Sequence, residues 1–272
     1  MEELEQRLAI TEEKKQELFR NNLGLVLDRD FFHVAFNTDA YLHDFYTQLE
    51  EPAMRMVHTY MPTIVAKLPK GGRMCDFGAG PTIHLGVCFR HSVDEIFFAD
   101  YLPQNRNELV RWINKESNFD WSTVLRTIAC HEGEMNSWLT MEEETRSKVR
   151  GVLHCDCLKD PSIEYPTDVA EGFDIITTTY CVEYCTKTEE EYKLAIKNIA
   201  RQIKPGGYFI MGGILEETWC SFGGRKFACL YITEEFMLTA LRDAGLTADD
   251  EKTTSLYQVN GMFLICAKKQ PH

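Results

Sequence analysis

Apolar residues along the chain fall into two rhythms: short unbroken runs, and stretches in which they recur every three or four positions. The two alternate over most of its length. The runs "RMCDF" (73–77), "EIFFAD" (95–100), "GVLHCD" (151–156), "FDIITTTY" (173–180) and "GMFLICAKK" (261–269) are short and apolar, so they predict buried strands. Helical periodicity follows the glycines after position 77 and runs through "NRNELVRWINK" (105–115) and "EEEYKLAIKNIARQI" (189–203). "KPGG" (204–207) is a stop signal, because proline cannot continue a helix and glycine permits the reversal, and the apolar run behind it predicts another buried strand. Pro52 precedes the periodic "AMRMVHTYMPTIVAKL", a helix with a proline inside or near its end. "CSFGGRKFACLYI" reads as a hairpin or a substrate loop, and residues 2–22 as an amphipathic helix with Leu4, Leu8 and Leu18 on one face. Alternating strand and helix signals imply an α/β fold, a mostly parallel sheet covered on both faces.

Composition narrows the function classes. A chain of 272 residues with 44% hydrophobic content fits a single large domain with extra segments. Its formal net charge of −13 argues against a nucleic-acid partner, which needs clustered Lys and Arg, and suits a small cationic ligand better. The charged N-terminus has no apolar segment of signal-peptide or membrane-span length, so a cytoplasmic protein is expected, with no membrane partner. Ten cysteines lack paired zinc-site spacing; "HCDC", with His154, Cys155 and Cys157, has no second ligand pair, and no metal is expected.

The chemistry concentrates in "RMCDFGAGPTIH" (73–84). Gly78 and Gly80 occupy the first two positions of a dinucleotide fingerprint, but Ile83 and His84 stand where its third glycine belongs, which makes a pyrophosphate a poor fit. There is no G-K-[ST] for a triphosphate either. Asp100 ends the next strand, placed to accept hydrogen bonds from ribose hydroxyls, and Asp156 ends the one after, where a carboxylate can accept an exocyclic amine. Each aspartate alone also reads as a helix cap. Together they fit adenosine without phosphates, and S-adenosylmethionine, whose sulfonium tolerates neutral or negative surroundings.

In order along the chain, "FNTDAYLHDFY", "DFGAGPTIH", "ADYLPQN", "FDWS", "CDC", "KPGG" and "LEETW" resemble the small-molecule N-methyltransferases that include nicotinamide, phenylethanolamine and indolethylamine (thioether) N-methyltransferases, over about residues 33–268. The resemblance implies a class I methyltransferase (Rossmann-like) fold: a seven-stranded, mostly parallel sheet with an antiparallel last strand, residues 61–272, under an N-terminal helical extension and cap, residues 1–60. It implies S-adenosylmethionine as cofactor, with Tyr41 and Tyr46 over its methionine end and Gly78 and Gly80 beneath. Asp100 would hold the ribose, Asn105 the methionine carboxylate region, and Asp156 and Cys157 would flank the adenine. Thr179 would line the cavity, and Thr82 and Tyr101 complete the cofactor set. His84 replaces a tyrosine that contacts the cofactor in relatives and is expected to be a half-buried helix residue; Phe45 falls where the nicotinamide branch has another tyrosine.

For the acceptor, Glu183 in "TTTYCVEY" and Glu217 in "LEETWC" fall where the phenylethanolamine branch also has glutamates that contact the amine. Read by composition, each is a solvated loop residue. The nicotinamide branch instead has an aspartate at the position of Gly213 and a serine at that of Ala228. Tyr180 is placed to stack on an aromatic substrate, and Cys220 replaces a larger aromatic. An alkylamine arrives protonated and needs an acceptor for its proton, whereas a pyridine nitrogen does not. The expectation is therefore a monomeric enzyme acting on a small amine of phenylethanolamine or indolethylamine type, with Glu183 and Glu217 as the acids; the alternatives are a nicotinamide methyltransferase and a cofactor-binding module without catalysis.

Overall fold

Burial on both faces decides which segments pair at the centre. In β2 (Arg73–Phe77), Met74 packs into the core on one side of the sheet while Cys75 and Phe77 pack into the core on the other. In β3 (Glu95–Asp100), Ile96 and Phe98 face the first core, and Phe97 and Ala99 the second. That two-sided demand is why these strands read as unbroken apolar runs. The computed structural model describes residues 25–47, 51–165, 172–248, 250 and 252–271. The amphipathic helix expected over 2–22 lies outside them.

Residues 26–67 carry β1 (Val26–Leu27) and helices α1 (Phe32–Ala35), α2 (Thr38–Tyr46) and α3 (Pro52–Lys67), the last with Pro52 in its first turn and Pro62 inside it. After β2 come α4 (His84–Phe89), β3, α5 (Pro103–Ile113), α6 (Ser122–Glu132), α7 (Met141–Lys148), β4 (Val149–His154) and β5 (Phe173–Thr179). The chain continues through α8 (Val182–Cys185), α9 (Glu189–Arg201), β6 (Ile203–Ile214), β7 (Trp219–Phe222), β8 (Arg225–Ala228), α10 (Glu234–Asp243), β9 (Leu246–Thr247), β10 (Ser255–Val259) and β11 (Met262–Lys269).

The large sheet has the order β10-β11-β6-β5-β2-β3-β4, with β9 paired to β11 off that path. Pairings from β4 through β6 are parallel, and β11 runs antiparallel to both β6 and β10. The expected seven strands with an antiparallel last one are therefore present, plus the two-residue β9. "KPGG" does not precede its strand: Phe173 pairs with Ile203 and Ile175 with Tyr208, so residues 204–207 bulge out within β6. The stop signal was real for the helix, and the strand simply begins before it.

A second sheet, β1-β8-β7, joins the cap helices through a small core of Leu27, Ala35, Phe222 and Phe227. "CSFGGRKFACLYI" is thus a hairpin, and it belongs to the cap. Phe222 and Phe227 stack at 4.3 Å, and Phe36, Tyr41 and Phe45 pack against Phe222 at 5.1, 5.2 and 5.9 Å. Among the described residues no helix is long and apolar enough to cross a membrane.

Candidate active site

Between the carboxyl ends of the parallel strands and the cap lies a cavity of about 650 Å³, within the roughly 300–1,000 Å³ of small-molecule sites. Its floor is Phe77–Gly80 after β2, and its walls are Asp100–Leu102 after β3, Cys155–Leu158 after β4 and Thr179–Cys181 after β5. Phe36, Tyr41, Phe45 and Tyr46 roof it, with Cys220, Phe222 and Phe227 of the hairpin. Parallel strands bring these ends together because each right-handed crossover returns the chain to the same edge.

The floor is built around Gly78. It has φ +67°, and a Cβ there would lie 2.1 Å from the Cys181 sulfur, so neither the backbone nor the space admits a side chain. Asp100 fastens the loop: its Oδ2 accepts from the Gly80 amide at 2.7 Å, and its Oδ1 from the Leu102 amide at 2.8 Å and Asn105 Nδ2 at 3.2 Å. Burial pushes its carboxyl up, against the lowering effect of those donors. Asn105 Oδ1 in turn accepts from Thr38 Oγ1 at 3.1 Å, which ties the first residue of α2 to the floor. Asp156 accepts from the Leu158 amide at 3.0 Å and lines the far wall beside Cys157.

Every residue of the expected cofactor set, Tyr41, Tyr46, Gly78, Gly80, Thr82, Asp100, Tyr101, Asn105, Asp156, Cys157 and Thr179, borders this one cavity. Tyr180 and Cys220 border it too. Burial pushes the Cys220 thiol up to about 11 and the Tyr180 phenol upward as well. Tyr180 sits at φ +48°, which turns the chain sharply at the end of β5.

Glu183 and Glu217 part company. Glu183 is 2% exposed, in the first turn of α8, with Oε1 accepting from the Ile214 amide at 3.2 Å. Burial pushes its carboxyl up to about 7, partly offset by backbone hydrogen bonds. It is not itself in the lining; its neighbours Cys181, Tyr184, Ile214 and Cys220 are. A Cβ at Gly213 would lie 2.7 Å from Glu183 Oε1, so the absence of a side chain at 213 is what makes room for this carboxyl. Glu217 is exposed and outside the lining. The backbone explains why: Glu216 turns at φ +59° with its amide on the Ile232 carbonyl, and the Thr218 carbonyl is held by the Cys229 amide. The two acids stand in different surroundings, one enclosed and one exposed.

Other residues went unread. Asp76, an acid inside an apolar strand two positions before Gly78, is buried with Oδ1 accepting from Thr177 Oγ1 at 2.8 Å and Oδ2 without a partner; burial pushes it up to about 8. That interruption of "RMCDF" was the available signal. His33 borders the cavity, and its buried Nε2 is also unpartnered. His84 is fully buried rather than half-buried and lies outside the lining, because it opens a helix wedged between α2 and α3. Among the described residues no group of His, Cys, Asp and Glu could hold a metal ion.

The sequence model of the NNMT/PNMT/TEMT family matches residues 24–270. The chain belongs to this family. It is 33% identical over 243 residues to the nicotinamide N-methyltransferase of Caenorhabditis elegans, covering 86% of this chain and 89% of that one. Similarity extends to the indolethylamine N-methyltransferase of Oryctolagus cuniculus (29%, 74% and 79%) and the phenylethanolamine N-methyltransferase of Homo sapiens (26%, 73% and 74%). Among solved structures, an O-methyltransferase family protein from Burkholderia thailandensis superposes with a TM-score of 0.55 at 14% identity, covering 98% of this chain and 70% of that one. The [4+2]-cyclase SpnF also gives 0.55, at 13% identity, covering 92% and 99%. The fold is therefore that of the class I methyltransferases, and this family member is an S-adenosylmethionine-dependent N-methyltransferase. The site fits that cofactor: a floor in which Gly78 has no room for a Cβ, and a carboxylate after each of two strands, Asp100 and Asp156, on the cavity wall.

Proposed function

We propose that the chain methylates the nitrogen of a small arylalkyl amine, with Glu183 as the group that takes up the amine's proton. The cofactor supplies an electrophilic methyl group on a sulfonium. The chain's task is then to hold the nucleophile in line with that carbon and to leave its lone pair free. In this reading Asp100 and Asp156 hold the nucleoside, and Tyr41 and Tyr46 cover the methionine end. Phe36, Tyr180 and Phe222 offer aromatic surface to a substrate ring.

The place of the buried Glu183 carboxyl carries this reading: it lies just behind the cavity wall, next in sequence to the lining residue Tyr184 and bonded to the amide of the lining residue Ile214. With an affinity for protons near pH 7 it is partly ionised at neutrality, which suits a group that must accept a proton from an alkylammonium and release it to water. Glu217 has no part in it. The names of the rabbit and human relatives above support an amine acceptor.

A second reading, a pyridine acceptor, is favoured by the name of the Caenorhabditis elegans relative. Against it stand Gly213 and Ala228, which offer no polar side chain where the nicotinamide branch has an aspartate and a serine, and the Glu183 oxygen that fills the space over Gly213. Incubation with S-adenosylmethionine and a panel of arylalkyl amines and nicotinamide, with products identified by mass spectrometry, separates them. The expected result is methylated amine, with kcat/KM at least ~10-fold above that for nicotinamide, the size of one hydrogen bond to a charged group. The reverse ranking overturns the proposal, and cofactor binding without transfer to any acceptor leaves only the binding module. We also place the chain in the cytoplasm as a monomer, with sedimentation of the purified protein as the check on its oligomeric state.

A further inference from the structure

Behind the roof of the cavity three buried side chains from three helices form an unbroken polar chain. Tyr46 of α2 lies with Oη 3.2 Å from His84 Nε2, and His84 Nδ1 lies 3.2 Å from His58 Nε2. His84 opens α4 directly after the glycine loop, and His58 belongs to α3. The rings are held as well as the polar atoms: Tyr46 and His84 are 5.2 Å apart, His84 and His58 5.1 Å, and Trp121 packs on Tyr46 at 5.5 Å. Only Tyr46 reaches the cavity; neither histidine lines it.

Buried polar groups in a core of this kind are costly unless they serve one another. Both imidazoles are neutral at pH 7, since burial lowers His58 to about 4, with a smaller contribution from His131, and lowers His84 further below its ordinary value. Two neutral imidazoles meeting nitrogen to nitrogen share a single hydrogen, so the direction of the His58–His84 bond fixes which nitrogen of His84 carries a proton. That tautomer in turn decides whether His84 donates to the Tyr46 oxygen or accepts from it. The phenol stays protonated, because burial pushes it up.

We propose that His84, held by His58, is a positioning residue that sets the ring and hydroxyl of Tyr46 over the cofactor's end of the cavity. This rests on the placement of Tyr46 beside the cofactor made above. This polar chain then couples the helix that follows the glycine loop to the cap helix, at the opposite end of α2 from the Thr38–Asn105 contact. The rotational freedom that a lone phenol would lose on binding is removed in advance.

The test is a double-mutant cycle read by calorimetric binding of S-adenosylhomocysteine to the full chain. Tyr46→Phe and His84→Phe are each expected to weaken binding about fivefold, the size of one oriented hydrogen bond. The double variant should bind no more weakly than Tyr46→Phe alone. Because His84→Phe also tests whether the core tolerates the ring, His84→Gln is measured beside it: its side-chain amide can still reach the phenol, and binding should return to within about twofold of wild type. Losses that add in the double variant, or a glutamine variant as weak as the phenylalanine one at equal melting temperature, overturn the relay. If Tyr46→Phe weakens binding and His84→Phe does not, the relay fails and the site placement survives. If Tyr46→Phe leaves binding unchanged, both fail.

Discussion

At the level of single residues, the two glutamates make the sharpest contrast. Glu183 is enclosed, with one oxygen on the Ile214 amide and a proton affinity raised by burial, while Glu217 faces solvent. Replacing Glu183 with Gln is expected to lower kcat/KM for an arylalkyl amine by ~100-fold, as for the loss of a general base, and to abolish the rise in kcat/KM with pH around 7. A pH–rate profile of wild type and variant checks both. Glu217→Ala is expected to leave kcat/KM within about twofold and stability within ~0.5 kcal/mol, as for an exposed residue; a large loss of turnover would return it to the site. Sequence placed both acids at strand ends, which is correct for their backbones. What it could not carry was the pairing of Glu216 and Thr218 with Ile232 and Cys229, bonds at the open end of the β7–β8 hairpin beside which Glu217 is exposed. Gly78, Gly80 and Asp100 were legible because their constraints are local: a positive φ and a strand that ends in a carboxylate. His84 was not, since its partners Tyr46 and His58 are 38 and 26 positions away.

At the level of elements, legibility followed how fully each one buries its sides. β2 and β3 bury both faces and appear as unbroken apolar runs, whereas α7, "MEEETRSK", buries only Met141 and Thr145 and offers almost no periodicity to read. The loop after β2 should be the least tolerant element. Gly78→Ala combines positive φ with a Cβ against the Cys181 sulfur, and is expected to weaken S-adenosylhomocysteine binding by more than ~10-fold, since strain of this kind costs about 1–3 kcal/mol; titration calorimetry reads it. The small sheet with α1 should behave as its own unit, because Phe227 packs with Leu27, Ala35 and Phe222 rather than with either core of the large sheet, whereas α2 and α3 belong to the first of those cores. Phe227→Ala is expected to speed amide exchange in β7, β8 and α1 while leaving β2, β3 and β5 as protected as before. Equal acceleration everywhere would mean that the two sheets unfold together.

Across the whole molecule, two carboxyls whose proton affinity burial raises set a pH dependence opposite to the usual one. Glu183 rises from 4.5 to about 7 and Asp76 from 3.8 to about 8, each chiefly through burial. The folded chain keeps these protons after the unfolded chain has lost them. Their contribution to stability is therefore complete below about pH 4 and is lost as pH climbs through 7 to 8. At about 1.4 kcal/mol per pH unit, Glu183 alone accounts for about 3 kcal/mol. The Glu183→Gln variant should match wild type near pH 4.5 and exceed it by up to that amount above pH 7, measured by urea unfolding; a difference independent of pH would contradict the burial of this group. The most direct measurement is a crystal structure with S-adenosylhomocysteine and an arylalkyl amine bound together. It should place the ribose on Asp100, the adenine between Asp156 and Cys157, and the amine nitrogen within hydrogen-bond reach of Glu183, directly or through one water. A nucleoside bound away from the Gly78 floor, or an amine nitrogen turned away from Glu183, would contradict it.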